Sequence, residues 1–294
     1  MTASANSGLQ CVNVAAITPR SKDGDINFGD MFDLLDYLGA ARVGGIALFT
    51  AWGEYPALAL DDRARLLYLA VKRSRVPVLA GVGSATLDHS LTLAREARSA
   101  GAAAVLLPPP LFYRYQCDEI REFYTQFAAQ LGGGVAILLS GELETETARC
   151  LLDTGRFAGI DDSSGDFESL QRHGNGVVVL SGRDDLFVHA RCMGLSTISA
   201  AACAAPELTM ALNQAILARD TARIASLEAK HRELVEWLDR FPLPAGVKTA
   251  VSARGIQTGA LPVPLSPAKQ KHLEQFREWF QGWLPGTRKL SAHG

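Results

Sequence analysis

An excess of charge of either sign is the first thing this sequence lacks. Its 29 Lys and Arg against 31 Asp and Glu leave a formal net charge of -2 over 294 residues, too little to attract nucleic acid or an anionic membrane. Neither partner is expected. Cysteine is also sparse: Cys11, Cys117, Cys150, Cys192 and Cys203 are odd in number, widely spaced and without a CxxC pair, which argues against a disulfide framework or a structural zinc site. They read as reduced thiols of a cytoplasmic protein. The histidines His89, His173, His189, His231, His272 and His293 show no HxH or HExxH spacing, so a zinc hydrolase has no support. No run reaches the roughly 18 consecutive apolar residues of a membrane span. The opening MTASANSGLQ has neither the basic region nor the apolar stretch of a secretory signal, so export is not expected. No GxGxxG opens a helix after the first apolar run, and GVGS at 81–84 lacks the GK[ST] of a phosphate loop, which leaves turn chemistry as its account.

What the chain has is a rhythm. Hydrophobic residues make up 48% of it, enough for a sizeable core. Short runs of Val, Ile, Leu and Ala recur, each followed by a longer amphipathic stretch, the pattern of parallel strands joined by helices. Strands are predicted at 12–18, 45–50, 77–82, 103–107, 134–139, 157–161, 177–181 and 196–200. Eight such units within about 200 residues imply a closed (β/α)8 TIM barrel, with functional groups at the C-terminal strand ends. A doubly wound open sheet is the rival, weakened by the missing dinucleotide fingerprint. After residue 205 only helices are predicted, so the chain divides into a barrel (1–205) and an α-helical C-terminal extension (206–294) packed on it. Within the extension, helices are expected at 220–238 and 267–283. FPLP at 241–244 breaks the first, and Ser266 caps the second ahead of Pro267. GTRKLSAHG at the end reads as a frayed tail.

Several stretches, AAITP (15–19), GIALFTAWGEYPALAL (45–60), VPVLAGVGS (76–84), AGAAAVLLPPP (100–110), GIDDSSGD (159–166) and MGLSTISAAACAAP (193–206), resemble the dihydrodipicolinate synthase and N-acetylneuraminate lyase family of pyruvate-dependent aldolases. PLPAGVK and LPVPLSP in the tail extend the match nearly end to end in one register. The resemblance implies a (β/α)8 barrel with a helical C-terminal region, a homotetramer of paired dimers and a site at the strand ends. It implies no cofactor.

The family's chemistry rests on a lysine at the end of strand six, whose neutral amine condenses with the ketone of a 2-oxo acid so that the iminium withdraws electrons. Here that strand reads Ala158, Gly159, Ile160, Asp161, so Asp161 occupies the lysine position. The seven lysines present, Lys22, Lys72, Lys230, Lys248, Lys269, Lys271 and Lys289, fall in loops, helices or the tail. By the same resemblance, Leu139 stands where the family has a proton-relaying tyrosine and Glu144 where many members hold the substrate carboxylate with an arginine. Ala51 and Trp52 replace a Thr-Thr pair. Tyr113 or Tyr115 could still reach a site. Ala51, Trp52, Glu144, Asp161 and Ser199 are therefore the ligand-binding candidates, and no metal site is assigned.

Exchanging Lys for Asp and Arg for Glu moves the mouth about four charges toward negative, at roughly 4 kcal/mol per misplaced pair at contact. Such a pocket repels a 2-oxo carboxylate and prefers a cation, an amine, a divalent metal or a neutral polyol. Each candidate also has a plainer account. Asp161 and Asp162 could cap a short helix near Ser163 or pair with Arg183, Glu144 could start a helix, and Trp52 could fill a vacated pocket. A magnesium site from Asp161, Glu144 and Asp184 is conceivable. So is a Cys203 nucleophile beside His189, although an inert thiol suits a buried strand end better. Three functions compete: a small-molecule-binding or regulatory homologue, a barrel enzyme with carboxylate- or metal-assisted chemistry, and a residual carbon–carbon lyase or synthase acting on pyruvate or another 2-oxo acid. Assembly is expected with itself or with an active homologue.

Overall fold

Each of the eight predicted apolar runs forms a short parallel strand, and β1 pairs with β8 to close the ring. In the computed structural model, which describes residues 11–166 and 176–288, the strands are β1 Val12–Ala15, β2 Gly45–Leu48, β3 Val78–Gly81, β4 Ala104–Leu107, β5 Ala136–Leu139, β6 Gly159–Asp162, β7 Val178–Ser181 and β8 Ser196–Ser199. Every strand pairs in parallel with the next, in sequence order. Burial explains the composition: a strand covered by helices outside and by its neighbours' side chains inside has no wet face, so it carries an apolar run rather than an alternation. The TIM barrel, not the open sheet, is the fold.

The strands alternate with α1 Phe28–Ala40, α2 Leu60–Arg73, α3 Leu87–Ala100, α4 Cys117–Leu131, α5 Thr145–Asp153 and α6 Phe187–Cys192. Their ends follow local chemistry. Thr86 accepts the His89 N–H to start α3, and Gly101, at φ 95°, ends it in the left-handed conformation that an L side chain resists.

Beyond β8 come α7 Ala201–Ala204, α8 Pro206–Leu217, α9 Thr221–Leu238, α10 Ala245–Ser252 and α11 Pro267–Arg288. Asp220 caps α9 and the Ser266 hydroxyl accepts the Lys269 N–H ahead of α11, both where the sequence placed helix starts. Phe276 and Phe280 of α11 are fully buried, and Trp237, Trp279 and Trp283 pack around them as a run of aromatic contacts. A single cluster of buried side chains runs from the barrel through α8, α9 and α11. Of the expected frayed tail, residues 289–294 lie outside the described part.

Candidate functional site

The site is set by the register of β5, β6 and β7. Gly159 opens β6 because a methyl there would sit 1.9 Å from the Val178 carbonyl oxygen, and only glycine lets the two strands approach that closely. Leu139 pairs with Ile160, so the next step along both strands sets Ser140 beside Asp161. Successive side chains point to opposite faces. Leu139 and Ile160 therefore share one face, and Ser140 and Asp161 share the other, which faces the barrel-end cavity. The Ser140 hydroxyl donates to Asp161 Oδ2 at 3.0 Å.

This cavity has a volume of about 140 Å3, and its walls include Phe49, Trp52, Tyr55, Ser140 and Asp161. Among the described residues that line it there is no Lys, Arg or His. Two polar atoms of its lining residues, Asp161 Oδ1 and Thr50 Oγ1, are buried and have no hydrogen-bond partner among the described residues. Asp161 is 6% exposed. Burial pushes its carboxyl up to about 7, against the hydrogen bond from Ser140 and with the help of neighbouring Asp162. A carboxyl in this condition can hold or release a proton near neutrality, or accept a hydrogen bond from a ligand.

Asp162 does the capping that Asp161 does not. Its carboxylate accepts from the Ser164 N–H (3.1 Å), the Ser164 hydroxyl (2.7 Å) and the Gly165 N–H (2.9 Å). Residues 163–166 form a turn rather than a helix, and those from 167 to 175 lie outside the described part. Arg183 donates to Asp185 at 2.9 Å, so the hydrogen-bonded pairing considered for Asp161 goes to another carboxylate.

Ala51 and Trp52 lie on the 3-10 turn Ala51–Gly53 after β2, and both line the cavity. Trp52 also borders a second cavity of about 250 Å3, whose walls include Asp184, Asp185 and Leu238. Trp52 therefore lines both spaces. The turn is held from below: Thr18 donates to the Gly53 carbonyl at 2.8 Å, and Glu54, at φ 56°, pairs with Lys248 of α10 at 2.5 Å, both side chains almost fully buried.

Three sequence candidates stand elsewhere. Glu144 is exposed at the start of α5, as its helix-starting account expected, and accepts from the Cys117 thiol at 3.0 Å. It takes no part in the cavity wall, so the expected accumulation of acid at the mouth reduces to Asp161. Ser199 donates to Asp184, whose carboxylate also accepts the N–H groups of Ala200 (3.0 Å) and Ala201 (2.9 Å). Both are thereby engaged at the start of α7. Leu139 is fully buried on the face away from the cavity. The magnesium site imagined from Asp161, Glu144 and Asp184 is not assembled: among the described residues no group of three or more His, Cys, Asp or Glu could hold a metal.

Cys203 is fully buried, and desolvation pushes its thiol up to about 12, the condition of an inert cysteine. Tyr113 and Tyr115 are 65% and 41% exposed, stacked edge to face with each other and away from the cavity wall. Of the lysines, Lys289 lies outside the described part, and none of the others lines this cavity.

Two further residues shape the cavity without a local sequence signal. Ser140 was one step away from the position chosen on β5, and the pairing register would have found it. Arg63 of α2 is buried, donates to the carbonyls of Gly83 (2.9 Å) and Gly81 (3.1 Å), and lies over the rings of Phe49 and Tyr55. It braces two aromatic walls of the cavity from behind, a contact that no local spacing signals.

Comparison with known proteins places this geometry. Residues 9–282 match the model of the dihydrodipicolinate synthetase family. The chain belongs to that family. A 4-hydroxy-tetrahydrodipicolinate synthase of Azoarcus sp. is 30% identical over 271 residues, covering 86% of this chain and 91% of the relative. A protein of the same name from Bacillus subtilis is 27% identical over 269 residues, covering 87% and 93%. Among solved structures, dihydrodipicolinate synthase from Aquifex aeolicus superposes with a TM-score of 0.84 at 24% identity over 93% of this chain and 98% of its own. A catalytic lysine mutant of Ruminococcus gnavus sialic acid aldolase superposes with a TM-score of 0.85 at 19% identity over 96% and 98%. At these identities the structures support the fold alone. Among the described residues no helix is long and apolar enough to cross a membrane.

Proposed function

We propose that this family member is not a Schiff-base pyruvate aldolase and that it holds a small molecule against Asp161 in the barrel-end cavity, as a binding or regulatory homologue. The supporting observation is the buried, unpartnered Oδ1 of Asp161 in a cavity whose described walls carry no amine. Iminium formation needs a neutral primary amine within reach of the ketone. The buried lysine, Lys248, is committed to Glu54 and to the Ala260 carbonyl (3.2 Å). A carboxylate ligand such as pyruvate would meet Asp161 with no cation among the described walls to offset it. The relatives named 4-hydroxy-tetrahydrodipicolinate synthase favour a carbon–carbon lyase or synthase on family grounds, but that reading needs an amine from outside the cavity wall.

A second reading draws on one specific observation. With its carboxyl near 7, Asp161 has the proton affinity of a general acid or base, so acid–base chemistry on a bound neutral ligand is the alternative enzymatic role. The loop after β4, where Phe112 and Tyr113 are 88% and 65% exposed, supports assembly with a second chain, whether a copy of this one or an active homologue.

The deciding experiment is borohydride reduction in the presence of pyruvate and other 2-oxo acids, followed by intact mass measurement. An unmodified chain is expected. A reduced adduct would overturn the reading and identify the lysine responsible. Thermal unfolding against 2-oxo acids, amines, sugars and divalent metals then ranks ligands, because one that binds only the native state raises its stability.

A further inference from the structure

We propose, resting on the non-aldolase reading above, that the ligand held at Asp161 is a small organic ammonium, an amine with a short apolar body. Four features of the cavity converge on that class. The one carboxyl among its described walls, Asp161, has a buried oxygen with no partner among the described residues, which asks for a donor. Its described walls supply no cation, so an anion has nothing to pair with, whereas a cation meets a carboxylate. Its aromatic sides, Phe49, Trp52 and Tyr55, suit the stem of an amine and, through a ring face, its charge. Its size, about 140 Å3, is close to the roughly 150 Å3 that accommodates benzene in an engineered cavity.

A polyol fits less well. Each buried hydroxyl needs its own partners, and the buried side-chain atoms on the wall without a partner among the described residues number two, Asp161 Oδ1 and Thr50 Oγ1. A divalent metal fits less well again, since the described residues gather no third ligand.

Proton linkage follows from the surroundings of Asp161. On its own strand the charge of neighbouring Asp162, whose side chain points to the other face, disfavours its ionisation; from β5 it receives the Ser140 hydroxyl, which favours it. After β7 it meets Gly182, followed by Arg183, which is paired with Asp185. Tyr55 stands on the cavity wall with its own proton held by burial. An ammonium ion binds the ionised carboxyl, whose population rises about tenfold between pH 6 and pH 8 for a group titrating near 7.

The probe is n-butylammonium, titrated into the full chain by calorimetry at pH 6 and pH 8, with 1-butanol and butyrate as neutral and anionic counterparts of similar size. The amine should bind about tenfold more tightly at pH 8 than at pH 6 and more tightly than either counterpart. Asp161→Asn should remove that preference, while Glu144→Gln, at an exposed carboxylate outside the cavity, should keep it. Should Asp161→Asn fail to fold, Ser140→Ala serves instead: it retains the carboxyl but loses the bond that favours its charge, so the pH at which amine binding reaches half its maximum should move upward. The proposal is overturned if the amine does not bind, if butanol or butyrate binds as tightly, if Asp161→Asn binds the amine unchanged, or if Ser140→Ala leaves the midpoint in place. A borohydride-trapped 2-oxo acid adduct would remove the underlying reading as well. Amine failure without an adduct removes only the ligand class.

Discussion

The Ser140 hydroxyl on β5 donates to Asp161 Oδ2 on the adjacent β6 at 3.0 Å, the one hydrogen bond to that carboxyl among the described residues. Oδ1 is buried and has no hydrogen-bond partner among the described residues. Burial raises this carboxyl while the Ser140 bond lowers it, which leaves it near the balance between its charged and neutral forms.

The balance has a thermodynamic signature. Asp161 holds its proton up to about 7 in the folded chain against an ordinary 3.8. Between those values the native state binds more protons than the unfolded state, so this residue makes stability fall as pH rises through the window and adds no further slope above it. The full displacement corresponds to roughly 4 kcal/mol. Asp161→Asn is uncharged throughout and should be the more stable chain at pH 8, with the difference vanishing near pH 4. Urea unfolding of both chains across that range reads the difference directly. Equal stabilities at pH 8 would mean that the carboxyl is better solvated than its burial indicates.

How much of this was legible in the residues alone can be judged from the same place. All eight strands could be found because parallel strands buried on both faces must be apolar runs, and Gly159 and Gly81 mark where chains approach closely. Asp161, Ala51 and Trp52 could be placed at the cavity because strand ends and the turn after β2 converge there by topology. Ser140 could not be preferred to Leu139, since a shift of one residue exchanges the two faces of a strand and the β5 register depends on its partner. Glu144 was expected at the mouth because the family resemblance puts a substrate-holding arginine at that position in the loop after β5. The chain instead carries it outward to the start of α5, where a carboxylate suits the positive end of the helix. The bonds from Asp184 to Ser199 and α7 join segments about fifteen residues apart, with no periodicity to announce them.

Gly182 leaves room beside Asp161. An added methyl there would lie 3.0 Å from Asp161 Oδ1 and 2.7 Å from the Ser163 hydroxyl. The serine can turn aside because its residue is exposed, whereas the carboxylate is held by Ser140. Gly182→Ala should therefore fold at a cost of about 1–2 kcal/mol while weakening any ligand of Asp161 at least tenfold. Chemical denaturation and calorimetric titration of the same sample separate the two effects. Undiminished binding would show that ligands do not approach Oδ1 from that side.

The Glu54 and Lys248 pair ties the turn carrying Trp52 to the C-terminal helices. Burial raises the Glu54 carboxyl and lowers the Lys248 ammonium, and each offsets part of the other's desolvation. Lys248→Met leaves the glutamate buried without its partner and should cost about 3–5 kcal/mol. The double change Glu54→Gln with Lys248→Met removes both charges and should recover much of that loss. Denaturant midpoints for the single and double variants form the test. A double variant as unstable as the single one would assign the cost to packing rather than charge.

A lysine placed at position 161 asks whether the scaffold still supports iminium chemistry. Its side chain would enter the cavity from the face that Ser140 shares, among Phe49, Trp52 and Tyr55. In that setting desolvation lowers an ammonium and yields some of the neutral amine that condensation needs. Asp161→Lys should therefore give a pyruvate adduct on borohydride reduction, detected by intact mass and mapped to residue 161, where the natural chain gives none. Turnover should remain negligible, because Leu139 faces away from the cavity and Ser140 is too weak an acid to relay protons as a phenol could. Adding Leu139→Tyr should not repair this, since the new ring would stand on the Ile160 side of the sheet. If the double variant nevertheless turned over a 2-oxo acid substrate, the assigned β5 register at the strand end would be the part to abandon, because a relay at position 139 requires that side chain to face the cavity.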